Sequence, residues 1–382
     1  MQSAPGQAPH DLDPLIERIR DAAARGVPLC IRGGGTKDFL GGTIEGELLD
    51  LRELAGIVSY EPSELVVTVR AGTPLAQLEA LLAQQGQCLP FEPPRHDAVA
   101  EGAPLAGTVG GMVAAGLSGP ARASVGSVRD YVLGAGLING RGEHLAFGGT
   151  VMKNVAGYDV SRVLAGSMGV LGVITEVSLK VLPVAPAEAT LAFACNQTEA
   201  LRRLNAWGGQ PLPLNASCWG EQDGQGWLLL RLRGATAAVE AACRQLGGDR
   251  PEAAQAAASW TALRDMQLPF FALAPGQELW RASLPQTAPA LAFDAPPPLV
   301  EWHGGQRWYV LQAGQGRRLQ DLAVSVGGRA TRFARAPGEA QDAAPALSLD
   351  SLDPPLRRIH EALKREFDPQ GIFNRGRLLG GL

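Results

Sequence analysis

The sequence predicts an α+β fold of more than one domain, and three observations carry that prediction. Amphipathic helices alternate with short β-branched strands through residue 90. Residues 173–181 then form a cleanly alternating strand, with Val173, Thr175, Val177, Leu179 and Val181 on one face. Beyond Pro183 and Pro186 the pattern changes to short strands, such as residues 226–232, set among Ala-rich helices, such as residues 235–246. A length of 382 residues suits two or three domains. A polar, Ala/Pro-rich linker over 337–353 gives the expected divisions 1–186, 187–340 and 341–382.

Composition narrows the function. With 19% charged and 46% hydrophobic residues the chain is too apolar for disorder. Its 48 glycines follow no period, so they read as turns and backbone-lined sites. A net charge of −4 and a pI near 5.8 argue against a nucleic-acid partner. The five cysteines (30, 88, 195, 218, 243) include no CxxC pair, which removes a cysteine-ligated iron–sulfur or zinc centre of usual spacing and suits a reducing cytoplasm. The five histidines form no HxH or HxxxH pair, and no metal site is expected. The start lacks a basic segment and an apolar h-region, and no apolar run approaches the ~20 residues of a membrane span. The expected location is cytoplasmic, with any contact to the inner face of the membrane made through partners.

Along the chain, Asp13-Pro14 reads as an N-cap and first helical position, with Leu15, Ile16, Ile19 and Ala23 inward and Gly26 as the stop. A short strand over 27–31 empties into Arg32-Gly33-Gly34-Gly35-Thr36-Lys37. Strands follow at 48–51, 56–60 and 65–70. Thr73-Pro74 then caps a helix with Leu75, Leu78, Leu81 and Leu82 inward, ended by Gly86. Residues 126–134 begin a run of strands and turns, Gly140-Arg141-Gly142 marks a hairpin tip, and residues 153–159 form a polar loop. His303, between Trp302 and Trp308, reads as a structural or surface histidine before a substrate contact. A last helix from Asp353-Pro354 turns Leu356, Ile359, Leu363 and Phe367 inward and ends in an apolar tail over 368–377, as of a terminus docked back.

Two glycine segments carry the chemistry. Residues 107–119, Gly-Thr-Val-Gly-Gly-Met-Val-Ala-Ala-Gly-Leu-Ser-Gly, hold five glycines and no charge. Such a surface lets a ligand lie against main-chain N–H groups and suits a pyrophosphate; the alternative is a Gly/Ala-rich close-packed turn or helix contact. The Arg32–Lys37 loop is neither a Walker A loop, since no Gly-Lys-Ser/Thr closes it, nor a GxGxxG fingerprint. It reads as a nest of amides with Lys37 adding charge, or more blandly as a strand-ending turn.

In order along the chain, RGGGT at 32–36, GTVGG…G at 107–116, KNVAGYD at 153–159, GSMGVLGVITE at 166–176 and DPQGIFNRGR at 368–377 resemble the FAD-binding domain of the vanillyl-alcohol oxidase and p-cresol methylhydroxylase family. Within it, stretches outside the flavin motifs, such as residues 267–271, 280–285 and 327–333, resemble the E-subunit group of bacterial glycolate oxidases (glycolate dehydrogenases). The resemblance implies FAD between two α+β subdomains, a reduced α/β cap over 187–340, and a C-terminal segment returning to the flavin site. It places Arg32, Gly33, Gly34, Gly35, Thr36 and Lys37, with Gly107, Thr108, Gly110, Gly111, Ala115 and Gly116, at the pyrophosphate. Val173 and Ile174 fall at the adenosine end and Asn374 near the flavin ring. Thr36 stands where flavin-tethering relatives carry His, which implies non-covalent FAD. Met168 replaces a frequent Glu, Arg375 replaces a Pro, and the H-x-G-D-G-N motif of catalytic relatives is missing.

The resemblance therefore implies a flavoprotein subunit in a complex oxidising glycolate to glyoxylate. A paralogous FAD subunit would perform most of the substrate chemistry, and an iron–sulfur subunit would take electrons onward. The alternatives are a self-sufficient FAD-linked oxidoreductase for another small 2-hydroxy acid, with Lys153, Tyr158 and Arg332 as candidates for carboxylate binding or proton transfer, and a scaffold without useful flavin.

Overall fold

Helix α1 (Asp13–Arg25) buries Ile16, Ile19 and Ala22 and stops at Gly26, whose φ of 68° closes the last turn by donating to Ala22 and Ala23 carbonyls. The computed structural model describes residues 10–42, 45–96, 98–100, 103–149, 159–336 and 352–378. Asp13 is not the cap that its sequence suggests. A 3-10 turn over His10–Leu12 precedes the helix and places the fully buried Leu12 at the N-cap, so packing sets the start. Strand β1 (Leu29–Arg32) follows and pairs in parallel with β2 (Glu47–Asp50).

The chain's end completes this small sheet. The Leu29 N–H donates to the Ile372 carbonyl (2.7 Å) and the Asn374 N–H to the Leu29 carbonyl (3.0 Å). Ile372 and Phe373 thereby join α1, Leu29 and Leu49 in one core.

The larger sheet of this half has five antiparallel strands: β3 (Ile57–Glu61), β4 (Val66–Arg70), β5 (Val132–Ile138), β6 (His144–Gly148) and β7 (Val173–Lys180), in the order β3-β4-β7-β5-β6. β7 is central. Val173 faces the α1 core and Ile174 the main core, and a register shift beyond Ile174 interrupts the strict alternation read from the sequence. Because both faces of β7 are covered, even Thr175 and Ser178 are buried, and Ser178 bonds the Thr68 hydroxyl at 2.9 Å.

Helix α2 (Leu75–Gln84) packs Leu75, Leu78 and Leu82 against this sheet, with Leu81 only half-buried. Thr73 does not cap it; its hydroxyl is engaged with Gly56 instead. The expected hairpin tip at Gly140–Gly142 joins β5 to β6. The run from 126 contains a turn of helix over Val128–Tyr131, boxed by Ser127 and Asp130, before β5 begins. Most of residues 107–116 form a short helix, α3 (Val109–Ala115), capped by the Thr108 hydroxyl at the Gly111 N–H.

Residues 187–335 carry far more strand than their sequence suggests. Strands β8 (Ala187–Ala194), β9 (Leu214–Gln222), β10 (Gln225–Gly234), β11 (Gln277–Ser283), β12 (Leu299–Glu301), β13 (Gln306–Gln312) and β14 (Arg329–Arg335) make one antiparallel sheet ordered β8-β10-β9-β12-β13-β11-β14. Helices α4 (Gln197–Gly208), α5 (Thr236–Leu246) and α7 (Gly316–Ser325) cover one face through Leu201, Val239 and Leu319, with α6 (Ala253–Arg264) between α5 and α7 in the chain. The other face presents Leu279, Leu299, Trp308 and Phe333. It packs on α6 and on Phe39, Leu40, Leu117 and Met168 of the first half. Glu92 adds an ionic link between the halves, accepting from Arg231 (2.7 Å) and Arg233 (3.1 Å).

Helix α8 (Pro354–Phe367) departs from its expected stripe: Leu363 and Phe367 pack inward, but Leu356 and Ile359 are exposed. Its last turn anchors the tail. The buried Lys364 ammonium donates to Asp368 (2.7 Å) and to the carbonyls of Val170 (2.8 Å) and Phe373 (3.0 Å). Asp368 also accepts from the Ile372 and Phe373 amides. Removing one partner of such a pair strands the other charge, so Asp368→Ala is expected to cost about 3–5 kcal/mol. Urea unfolding checks this; a midpoint equal to that of wild type would show that the tail is not held this way.

Candidate functional site

The two glycine segments meet. A Cβ on Gly33 would strike the Thr108 hydroxyl, and one on Gly34 would land on the Ala106 carbonyl oxygen. Gly35 has a φ of 73°, in the left-handed region, and its open side sits over the Arg32 guanidinium. Glycine is thus required at 33 and 34 for the two turns to touch and at 35 for its left-handed backbone, and the Arg32–Lys37 turn ends one wall of a cleft whose other wall is α3.

The cleft, about 530 Å³, is lined by residues 31–38, Thr108, Gly111, Ala114, Ala115, Met168, Asn374 and Arg377. An adjoining space of about 420 Å³ continues past Gly110, Gly169, Gly172 and Ile174. Among the described residues the amides of Gly33, Gly34, Gly35 and Thr36 donate to no backbone carbonyl. On the α3 side the Val109 and Gly110 amides are already spent on Thr73 and Ala71, and Gly111 on its own cap. The donors therefore come from the first loop, while α3 supplies a surface of glycine and alanine, Gly110, Gly111, Ala114 and Ala115.

Charge in the cleft is mainly positive. Lys37 reaches the Thr36 hydroxyl at 3.3 Å, and Arg32 pairs with Asp38 at 2.6 Å. The buried Arg377 guanidinium donates to the Lys37, Asp38 and Gly42 carbonyls, which fixes the far end of the loop. Asn374, at a φ of 40°, accepts from the Ile31 N–H (2.7 Å) and donates to the Met168 carbonyl (2.8 Å). It is a bolt between β1, the 166–172 turn and the tail, with both ends of its amide engaged.

Of the residues expected at the site, Arg32 through Lys37, Thr108, Gly110, Gly111, Ala115, Ile174 and Asn374 line these two spaces. Gly107, Gly116 and Val173 do not. Gly107 offers its carbonyl to the Leu75 amide, Gly116 is the α3 C-cap against Gly166, and Val173 packs under α1. Lys153 and Tyr158 lie outside the described residues. Arg332 lines neither of these spaces: it pairs with Glu278 at 3.2 Å, beside Arg335 on the same carboxylate. Sequence reading missed Asp38, Met168 and Arg377. The last is legible only as the final basic residue of the tail motif.

A second pocket, about 380 Å³, lies where the inner face of the cap sheet meets the first half. His96 lines it with a buried Nε2 that has no hydrogen-bond partner among the described residues, and burial followed by the Lys37 charge lowers its pKa to about 4. Glu301 accepts from Trp308 (2.6 Å) and Gln306 (3.1 Å), yet burial raises its pKa to about 7. His303 is structural: it bonds Ser217 and Ser124, and burial lowers its pKa to about 4.

Residues 7–148 match the FAD binding domain family. Over 369 residues the chain is 44% identical to the glycolate oxidase subunit GlcE of Escherichia coli (strain K12), covering 96% of this chain and 97% of that one. The chain belongs to the GlcE subunit family. It is also 31% identical to the glycolate oxidase subunit GlcD of Bacillus subtilis (strain 168), but over only 48% of this chain and 38% of that one. Among solved structures, alkyldihydroxyacetonephosphate synthase superposes with a TM-score of 0.64 at 15% identity, over 96% of this chain and 76% of that one, which shows a shared fold. Membership in a glycolate oxidase subunit family makes the chain an FAD-dependent oxidoreductase of 2-hydroxy acids that works in a multisubunit complex. The cleft fits FAD on its own terms: unspent amides, a glycine-lined close approach at Gly33–Gly35 and Gly111, and nearby cations are what a diphosphate bridge needs.

Gly34→Ala is expected to abolish flavin retention on gel filtration, because the methyl group forces the two turns apart. Gly208→Ala, which meets nothing within 4 Å, is the comparison expected to retain it. A second expectation concerns pH. The folded chain binds the Glu301 proton more tightly than the unfolded chain does, so this group's contribution is fully present below its ordinary carboxyl pKa and is lost as pH rises to about 7. Wild type should therefore lose stability relative to Glu301→Gln between those limits, read from urea midpoints across pH; a constant difference would refute it.

Proposed function

We propose that this chain is the flavin-holding partner subunit of a glycolate oxidase, supporting or relaying electron transfer beside a paralogous catalytic flavin subunit and an iron–sulfur subunit. FAD, when bound, supplies two-electron acceptance from an alcohol carbon. The residues of this chain do the rest. The Gly33–Thr36 amides hold the diphosphate, Lys37 and Arg377 balance its charge, and Asn374 keeps the floor of the cleft in place. The apposition of the two glycine turns around unspent amides is the observation that carries this reading.

Thr36 at the end of the first loop offers no imidazole for a flavin bond, so FAD is held without a covalent link. The subunit reading is supported by the match across nearly the whole length of GlcE and by the partial match to a second glycolate oxidase subunit, GlcD. Among the described residues no group of His, Cys, Asp and Glu is arranged to hold a metal; in this reading the onward electron carrier belongs to a partner. No helix among them is long and apolar enough to cross a membrane.

The test is purification of the chain alone and with its partners, with flavin and iron quantified in each. The isolated chain should release FAD into the supernatant on acid precipitation and fail to reduce an artificial acceptor with glycolate at the rate of the complex. Flavin that stays with the precipitate, or full turnover by the isolated chain, overturns the proposal.

A further inference from the structure

The pocket beneath the cap sheet contains a charge that the fold leaves unanswered. Arg281 lies on β11, opposite Trp308 of β13 and Thr331 of β14, with its side chain on the face turned to the first half. Among the described residues it makes no hydrogen bond and no ion pair, and its guanidinium rests 5.7 Å from the centre of the Phe333 ring. By area it is only part-buried, since the pocket reaches it; burial nevertheless lowers its pKa, followed by the charge of Arg122.

The neighbouring charges do not answer it. Arg264, in the same pocket, is already paired with Asp265 at 2.7 Å. Glu301 is held by Trp308 and Gln306. Arg122, its guanidinium 4.4 Å over the Trp302 ring, adds positive potential. A desolvated cation facing a second cation is costly unless an anion completes it. The contrast within the sheet is direct: Arg332 and Arg335 on the neighbouring strand share the Glu278 carboxylate, whereas Arg281 faces the cavity.

We propose that Arg281 is the anchor of a binding site for a small organic carboxylate in this subunit. The guanidinium presents a planar fork suited to two carboxylate oxygens. Phe271, Trp302, Trp308 and Phe333 form apolar walls that exclude bulk water and limit the ligand to a few carbons. His96, uncharged at neutral pH, lines the same pocket and adds a polar group without a competing charge. The site rests on the flavoprotein reading for its relevance to 2-hydroxy acids, but its chemistry depends on Arg281 alone.

The probe is oxalate, a small dicarboxylate, titrated calorimetrically into the full-length chain carrying its flavin, with flavin content measured separately for each variant. Arg281→Gln is expected to weaken oxalate binding at least about tenfold, the loss of a charge-assisted pair. Arg281→Lys should lose less, and Arg317→Gln, on the exposed side of α7, should change nothing. Should Arg281→Gln not fold, wild type reacted with butanedione supplies the reading, and oxalate should protect Arg281 from modification. Equal oxalate binding in wild type and Arg281→Gln, no binding to wild type, an absence of protection, or an Arg281→Gln effect confined to flavin content each overturns the site. Loss of flavin with Arg281-dependent oxalate binding intact would instead sink the flavoprotein reading and leave this one standing.

Discussion

The Gly34 main chain lies against the Ala106 carbonyl with no room for a methyl group between them, and much of the molecule exists to keep them there. That contact brings the end of β1 to the start of α3, two points more than seventy residues apart in the chain. It also turns the Gly33–Thr36 amides toward a cleft instead of toward another strand. A donor surface made of main chain has fixed geometry and needs no rotamer to be ordered, which suits a ligand that accepts several hydrogen bonds at once.

Holding that surface falls to the other end of the polypeptide. The tail extends the β1–β2 sheet, Asn374 ties the Ile31 amide to the Met168 carbonyl, and Arg377 gathers three carbonyls of the first loop. The Lys364–Asp368 pair fixes where that tail begins. A buried ion pair is weak evidence of stability in itself, but this one organises four backbone groups at once, and its value lies in placement. The tail is thus a structural part of the site and not an appendage.

The cap sheet gives the molecule its asymmetry. One face is sealed by α4, α5 and α7. The other is an aromatic surface laid over the first half, with Glu92 bridging to Arg231 and Arg233. Polar groups enclosed at this contact shift in opposite directions, Glu301 upward and His96 downward, because burial disfavours the charged form of each. Beside the paired Arg264, Arg281 therefore stands out in this pocket as a charge without an ionic partner among the described residues.

By itself the sequence determined what is local. The glycine runs, the strand leading into the first, the α1 stop at Gly26, the hairpin tip at Gly140–Gly142 and the docking of an apolar tail all follow from backbone freedom and short-range pattern. Helix starts were less legible: Leu12 and Pro74 occupy cap positions where Asp13 and Thr73 carry the usual signal, because packing and the Gly56 contact use those residues otherwise. Only the tertiary structure decided that residues 109–115 are helix, that 187–335 is one seven-stranded sheet, and that Leu356 and Ile359 face outward. It also decided which arginine is answered. Arg281 and Arg332 look alike in sequence, but strand register sets one beside Glu278 and the other over a cavity, and the net charge of a side chain's surroundings depends on residues that no local window contains.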